Sequence, residues 1–266
     1  MIRFAPLLLV LALGGGGLMA LPAGANSNQP RSVEPHAQPG TNTAQLVAFA
    51  KEVERVAGSR GARLFFLARV GRPPDGLPSG IEYTHVGIAV YSELSHGEYG
   101  YVLHNLYQSR GSPTRSGLVS DFPAEFFAGA AALKAGILIP TPAVQRRVLA
   151  TVLSPRYRAL HNPHYSAISN PFDVRYQNCT EFVLDVLHAS LFDVADRHRL
   201  KTIASQRFAA QPIHVNAVQS FWASLVMPDV RFDDHPSGAL TTATYGRLRA
   251  YLQDNDWLEE EWVIRP

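Results

Sequence analysis

Residues 83–91 and 99–107 are two runs rich in aromatic and β-branched side chains, separated by the polar tip Ser95-His96-Gly97-Glu98. That pattern predicts a β-hairpin, because such side chains suit a pleated surface and a Gly-bearing polar tip suits the turn. The hairpin commits the chain to an antiparallel sheet, and the rest of the sequence has to cover it. Upstream, Asn42 caps a helix with Gln45 as its capping partner. Leu46, Phe49, Ala50, Val53 and Val56 mark the buried face of that helix, and Gly58 to Gly61 end it. Residues 63–70 read as a strand and 71–80 as a loop crowded with Pro and Gly. Downstream come a short helix over 123–127 and an apolar strand over 135–139. A further helix is opened by Thr141 and Pro142 and runs to about 153. Residues 154–177 carry Pro, Asn and Ser repeatedly and read as a long ordered loop. A helix starts at Asn178, and helical stretches follow near 212–226 and 242–253. The tail, with Trp257, Trp262 and several Glu, reads as a terminal helix packed by its tryptophans. Helix, then strands, then helices without regular alternation is the order of an α+β protein with a small antiparallel sheet.

The amino terminus has the three parts of a secretory signal. Arg3 supplies the positive start, residues 4–13 are an apolar run, and Ala23-Gly24-Ala25 gives the small-x-small cleavage pattern. A membrane helix needs about 20 apolar residues, so this run is too short, and the glycines at 14–17 weaken it further. The expected organisation is a signal peptide over 1–25, a flexible leader over 26–41, and one domain over 42–266. The protein is therefore expected to be exported, periplasmic or secreted, with no membrane span after signal cleavage. A net charge of +2, without any basic block, gives no case for nucleic-acid binding.

The chain has one cysteine. Exported proteins usually pair their cysteines as disulfides, so a solitary one is a buried filler, an intermolecular link or a reactive thiol. Its surroundings favour the last. In Asn178-Cys179-Thr180-Glu181-Phe182-Val183, the residues Asn178 and Glu181 stand at capping-box spacing, which makes Cys179 the first helical residue. Phe182, Val183, Val186 and Leu187 form the apolar stripe behind it. The helix dipole contributes only about 0.3–1 kcal/mol, less than one pKa unit from a free thiol value near 8.5. Activation therefore needs a second group, and imidazole is the usual one.

His85 is the best candidate for that imidazole. Val86, Ile88 and Val90 share one face of the first hairpin strand, while His85, Gly87 and Ala89 share the other. The small residues beside His85 are expected to admit the helix that delivers Cys179. A third group should hold the ring in one tautomer, and the partner strand offers His104 or Asn105, with His104 preferred. The backbone N–H of Cys179 is the natural oxyanion donor, with Gln177 or Tyr83 as a further one.

Thr84-His85-Val86-Gly87-Ile88 followed far downstream by Asn178-Cys179-Thr180-Glu181-Phe182 resembles the circularly permuted branch of the NlpC-type, papain-like cysteine hydrolase superfamily. That branch includes the lecithin–retinol acyltransferase group. The resemblance implies a permuted papain-like fold, with the Cys-bearing helix packed on the sheet and extra helices at the C-terminal end. It implies Cys179 as nucleophile and His85 as base, with His104 matched only by its place on the following strand. More closely, residues 63–187, with His104-Asn105-Leu106-Tyr107-Gln108 and Asn170-Pro171-Phe172, resemble an uncharacterised bacterial exported family, domain of unknown function 2145. The superfamily implies a cysteine peptidase, amidase or acyl transferase acting on cell-wall peptide or an acyl-bearing substrate. It also contains proteins that have lost activity, which leaves an envelope binding or assembly protein as the alternative. No cofactor and no metal are implied.

The remaining signals are weaker. His161 and His164 lack the third and fourth ligands a metal needs. Asp233-Asp234-His235 reads as a polar loop with a helix cap, and Arg110 and Arg115 as a solvated loop after the second hairpin strand.

Overall fold

The computed structural model describes residues 42–73, 77–214, 227–236 and 239–266; the expected signal peptide and leader lie outside them. Strand β1, Leu64–Val70, is buried at every position. A strand of that kind needs cover on both faces, and the structure supplies it. Leu64, Phe66, Ala68 and Val70 enter one apolar core, while Phe65 and Leu67 enter a second on the opposite side. β1 is central in a six-stranded sheet of order β4-β3-β2-β1-β5-β8, in which every neighbouring pair is antiparallel. The other strands are β2 His85–Glu93, β3 Tyr99–Ser109, β4 Ser112–Asp121, β5 Ala132–Pro140 and β8 Leu258–Ile264. A short ribbon pairs β6 Gln211–Ile213 with β7 Leu240–Thr242.

Helices cover both faces. α1 Thr43–Ser59 and α2 Pro123–Ala128 close the Phe65 side, and α1 is capped as expected, Asn42 accepting from the Ala44 N–H at 2.9 Å. The Leu64 side is closed by α3 Pro142–Val152, α4 Pro155–Ala159, α5 Cys179–Phe192, α6 Arg197–Arg207 and α7 Tyr245–Asp254. Phe182 of α5 is 1% exposed and meets the Tyr157 ring edge-on at 5.1 Å. Burying a side chain of that size is worth about 1.5–3 kcal/mol, so the stripe behind Cys179 anchors α5 to the sheet.

Several sequence expectations are corrected. The tail is the strand β8 rather than a helix. Its exposure alternates residue by residue, because Leu258, Glu260 and Trp262 face inward between the outward Glu259, Glu261 and Val263. Arg60 lies over the Trp262 ring at 4.5 Å. Arg115 belongs to strand β4 rather than to a loop, and Arg110 sits in the turn before it. The ladder to β3 uses backbone groups, which polar residues donate as well as apolar ones. The 154–177 segment contains α4, and α6 was not read from the sequence. Of the stretch near 212–226, residues 211–213 form β6 and residues 215–226 lie outside the described ones. The sheet is also larger than expected.

Gly136 on β5 sits beneath two rings. A Cβ there would lie 2.6 Å from Tyr245 Cζ and 3.0 Å from Tyr83 Cζ. Gly117 on β4 has open space around the same position. Gly136→Ala is therefore expected to destabilise the protein by about 1–3 kcal/mol by overpacking. Gly117→Ala should be neutral or slightly stabilising, and urea unfolding midpoints of the two variants distinguish the cases.

Candidate functional site

Cys179 is the first residue of α5, and Asn178 is its N-cap, its side chain accepting from the Glu181 N–H at 2.8 Å. The thiol is 5% exposed, and its Sγ lies 3.8 Å from the Thr84 carbonyl oxygen and 4.0 Å from Thr180 Oγ1. Thr84 immediately precedes His85, the first residue of β2. The start of α5 is thus brought to the start of the histidine strand. The sheet opens at that point. Pairing of β2 with β3 runs from Glu93↔Tyr99 to Ile88↔His104 and ends there, while β1 stays paired with β2 to Arg69↔His85.

His85 Nε2 is 3.2 Å from Asn105 Oδ1. The ring stacks on Tyr107 at 4.6 Å, nearly parallel, and meets Phe126 at 5.4 Å. Asn105 is fully buried, and its Nδ2 donates to Leu103 O at 3.3 Å and Asp121 Oδ2 at 3.4 Å. His85 itself is 1% exposed. Burial, followed by the Arg69 guanidinium, holds its pKa well below the ordinary 6.5, against the opposing hydrogen bond to Asn105. The resting imidazole is neutral.

The two residues expected for the third position, His104 and Asn105, lie on opposite faces of β3. Consecutive strand residues point to opposite faces, and Asn105 shares the face of His85 whereas His104 does not. His104 meets the Tyr157 ring at 5.7 Å on the α5 side. Its Nε2 has no hydrogen-bond partner among the described residues, and burial lowers its pKa to about 4. The role expected of Gly87 is corrected. α5 packs against the Val86, Ile88 and Val90 face, and the space above Gly87 is filled by the Asn105 side chain, with which a Cβ would collide.

Behind Cys179 lies a buried polar network that the sequence did not reveal. Lys201 Nζ bonds Glu181 Oε1 at 2.6 Å and both oxygens of Asp185 at 2.7 and 2.8 Å. Ser169 donates to Glu181 Oε2 at 2.5 Å and accepts from the Asn178 N–H at 2.9 Å. The capping box expected between Asn178 and Glu181 is therefore closed through a third side chain. Gln177, expected as an oxyanion donor, is committed here: it donates to Asp185 at 2.7 Å and accepts from Asn162 N at 2.8 Å. Tyr83, the other expected donor, packs on Tyr245 at 4.6 Å, and its hydroxyl has no hydrogen-bond partner among the described residues. Only i, i+4 spacing of Glu181 and Asp185 on α5 hints at the network, and Lys201 comes from another helix.

The weaker signals are structural. Asp234 Oδ2 accepts from Asn170 N at 2.7 Å, His235 Nε2 lies 3.0 Å from Ile168 O, and Tyr176 donates to Asp233 at 3.1 Å. These contacts pin the loop that leads into α5. His161 and His164 bond different residues of β4, Ser116 at 3.0 Å and Arg115 at 3.4 Å. Among the described residues no group of three or more His, Cys, Asp or Glu is placed to hold a metal ion, and no helix is long and apolar enough to cross a membrane.

A family model described as an uncharacterized protein conserved in bacteria, DUF2145, matches residues 56–252, a span that contains β1 to β5, Cys179 and α5. No curated protein and no solved structure matches the chain.

The Lys201 network carries two carboxylates against one ammonium. Burial first, then Asp185, raises the Glu181 pKa from 4.5 to about 7, against the pull of Lys201. A folded value above the unfolded one stabilises fully below about 4.5, and that contribution is lost as the pH rises through about 7. Buried His104 and His188, each lowered to about 4 chiefly by burial, act oppositely and cost stability as the pH falls below 6.5. In Glu181→Gln, stability should therefore climb more steeply between pH 4.5 and 7 than in the wild type. Urea midpoints across that range measure it, and parallel curves would show that Glu181 does not hold the proton.

Proposed function

The chain belongs to the DUF2145 family, and within it we propose an exported cysteine hydrolase or acyl transferase on a permuted papain-like scaffold. Cys179 is its nucleophile, His85 its base, and Asn105 the residue that orients His85. One observation carries this reading. Asn105 holds His85 through Nε2, and Cys179 Sγ lies against the residue that precedes His85.

The chemistry follows from that arrangement. A neutral imidazole in a water-poor setting begins as a proton acceptor. The Cys179 sulfur attacks a carbonyl carbon while its proton passes to His85 Nδ1. The imidazolium then returns the proton to the leaving amine or alcohol as the tetrahedral centre collapses to a thioester. Water or a second acceptor resolves the thioester by the same exchange. The first N–H groups of α5, which lack intrahelical partners, face the developing oxyanion, the Cys179 N–H foremost. Cell-wall peptide is the leading substrate class, on the strength of the export signature and the NlpC-type resemblance, with acyl esters second.

A second reading, a catalytically inactive envelope binding or assembly scaffold, is favoured by one observation. The thiol and the imidazole are 5% and 1% exposed, which suits side chains that serve only to pack.

Two measurements separate the readings. Iodoacetamide should alkylate Cys179 well below pH 7 if the thiol is activated, whereas reaction only near pH 8.5 (about the free-thiol value), or none, supports the scaffold. In a turnover screen against cell-wall fragments and acyl esters, Cys179→Ala should abolish activity while changing stability by less than about 1 kcal/mol. Asn105→Ala should reduce the rate, and His104→Gln should leave it close to wild type; the reverse order would return the orienting role to His104.

A further inference from the structure

We infer that Asp121 is a positioning residue that decides which nitrogen of His85 carries the proton. The argument begins with the Asn105 amide, whose oxygen and nitrogen have nearly the same shape and are told apart only by their neighbours. On one side it meets Leu103 O and Asp121 Oδ2, at 3.3 and 3.4 Å. Both of these neighbours accept here: a carbonyl oxygen cannot donate, and the Asp121 oxygen takes the Nδ2 hydrogen bond. The amide NH2 must therefore face them, and Oδ1 must face His85 Nε2 at 3.2 Å. An acceptor in that position requires a proton on Nε2. A neutral imidazole has only one such proton, so Nδ1 is left with its lone pair.

The fold supplies Asp121 for this place. It is the last residue of β4, is 7% exposed, and stands opposite Leu103 in the ladder to β3. Were the amide turned over, its oxygen would oppose the carboxylate and its NH2 would oppose Nε2, driving the proton to Nδ1. A ring in that state cannot take a proton from a thiol through Nδ1. The tautomer assignment stands on these contacts and on the burial that keeps the ring neutral. Its consequence for Cys179 rests on the proposed function, in which Nδ1 is the base.

The test reads the ring directly. Two-bond ¹H–¹⁵N correlation spectra of ¹⁵N-labelled protein near neutral pH give the tautomer of each histidine, with His85 assigned by its disappearance in His85→Gln. Wild-type protein should show His85 protonated at Nε2 alone. Asp121→Ala, left with Leu103 O as the remaining acceptor, should show a mixture of tautomers or the Nδ1–H form. The near-isosteric Asp121→Asn, which retains an acceptor oxygen, should keep the wild-type pattern. An Nδ1–H ring in the wild type overturns the inference, as does an unchanged ring in a folded Asp121→Ala. Loss of the pattern in Asp121→Asn overturns it too, because charge rather than hydrogen-bond polarity would then be the cause.

Alkylation of Cys179 in the same proteins keeps the two proposals apart. If Nδ1 is the base, the rate below pH 7 should fall roughly tenfold in Asp121→Ala, the effect of one unit in thiol pKa. The expected tautomers together with ordinary, unchanged thiol reactivity support the role of Asp121 and sink the enzymatic reading of Cys179.

Discussion

The buried ammonium of Lys201 holds the start of α5 in place. Lys201 is 4% exposed and lies between Glu181 and Asp185, which are 0% and 1% exposed. Taking an ion out of water costs several kcal/mol, and the partners offset that only when geometry and surrounding hydrogen bonds are good. Here both conditions are met. Asp185 is bonded by Gln177 and Glu181 by Ser169, so each carboxylate is held from its own loop as well as by Lys201. The segment leading into α5 sends Leu160, Tyr165, Ala167 and Phe172 to the core, and this polar lattice adds a second set of ties. The start of α5, and with it the sulfur, is where it is because those bonds converge on its first two turns.

The sheet imposes the second constraint, through parity. Side chains alternate strictly between an α5 face and an α1/α2 face, so neighbours in sequence are separated by the thickness of a strand. His85, Asn105 and Tyr107 share one face, and Val86, Ile88 and the α5 stripe share the other. A contact between the two layers is possible only at the end of a strand, where pairing stops. The parting of β2 from β3 below Ile88↔His104 is such a place, and it is where Cys179 meets the Thr84 carbonyl.

Much of this was legible in the sequence. The hairpin, the strands flanking it, the helix over 142–152 and the cap that makes Cys179 the first residue of α5 follow from local patterns, because the forces that set them act within a few residues. Whether His104 or Asn105 faces His85 is not set by local pattern. Aromatic and apolar side chains occupy both faces of β3, so the alternation carried no polarity signal, and only the register against β2 settled which neighbour faces His85. β4 was missed because the backbone pairing that forms it is indifferent to its polar side chains. The tail reads as a helix only if its tryptophans are taken without their spacing, since residues five apart do not share a helical face, whereas the alternation of Leu258, Glu260 and Trp262 has the period of a strand. Lys201 was out of reach, since nothing in its own helix records that two carboxylates from another helix will surround it.

The edges of the sheet have a consequence of their own. An outer strand offers unsatisfied amide groups that invite a second molecule to add to it. Along β8 the sequence Leu258-Glu259-Glu260-Glu261-Trp262 lines that border with carboxylates, and a like border brought alongside would set acid against acid. On the far side, two backbone groups of β4 are already engaged, Thr114 O by Tyr165 N and Ser116 N by Pro163 O. Two-sided burial of β1 forces the chain to build a broad sheet, and the composition of its margins works against a second copy adding to it.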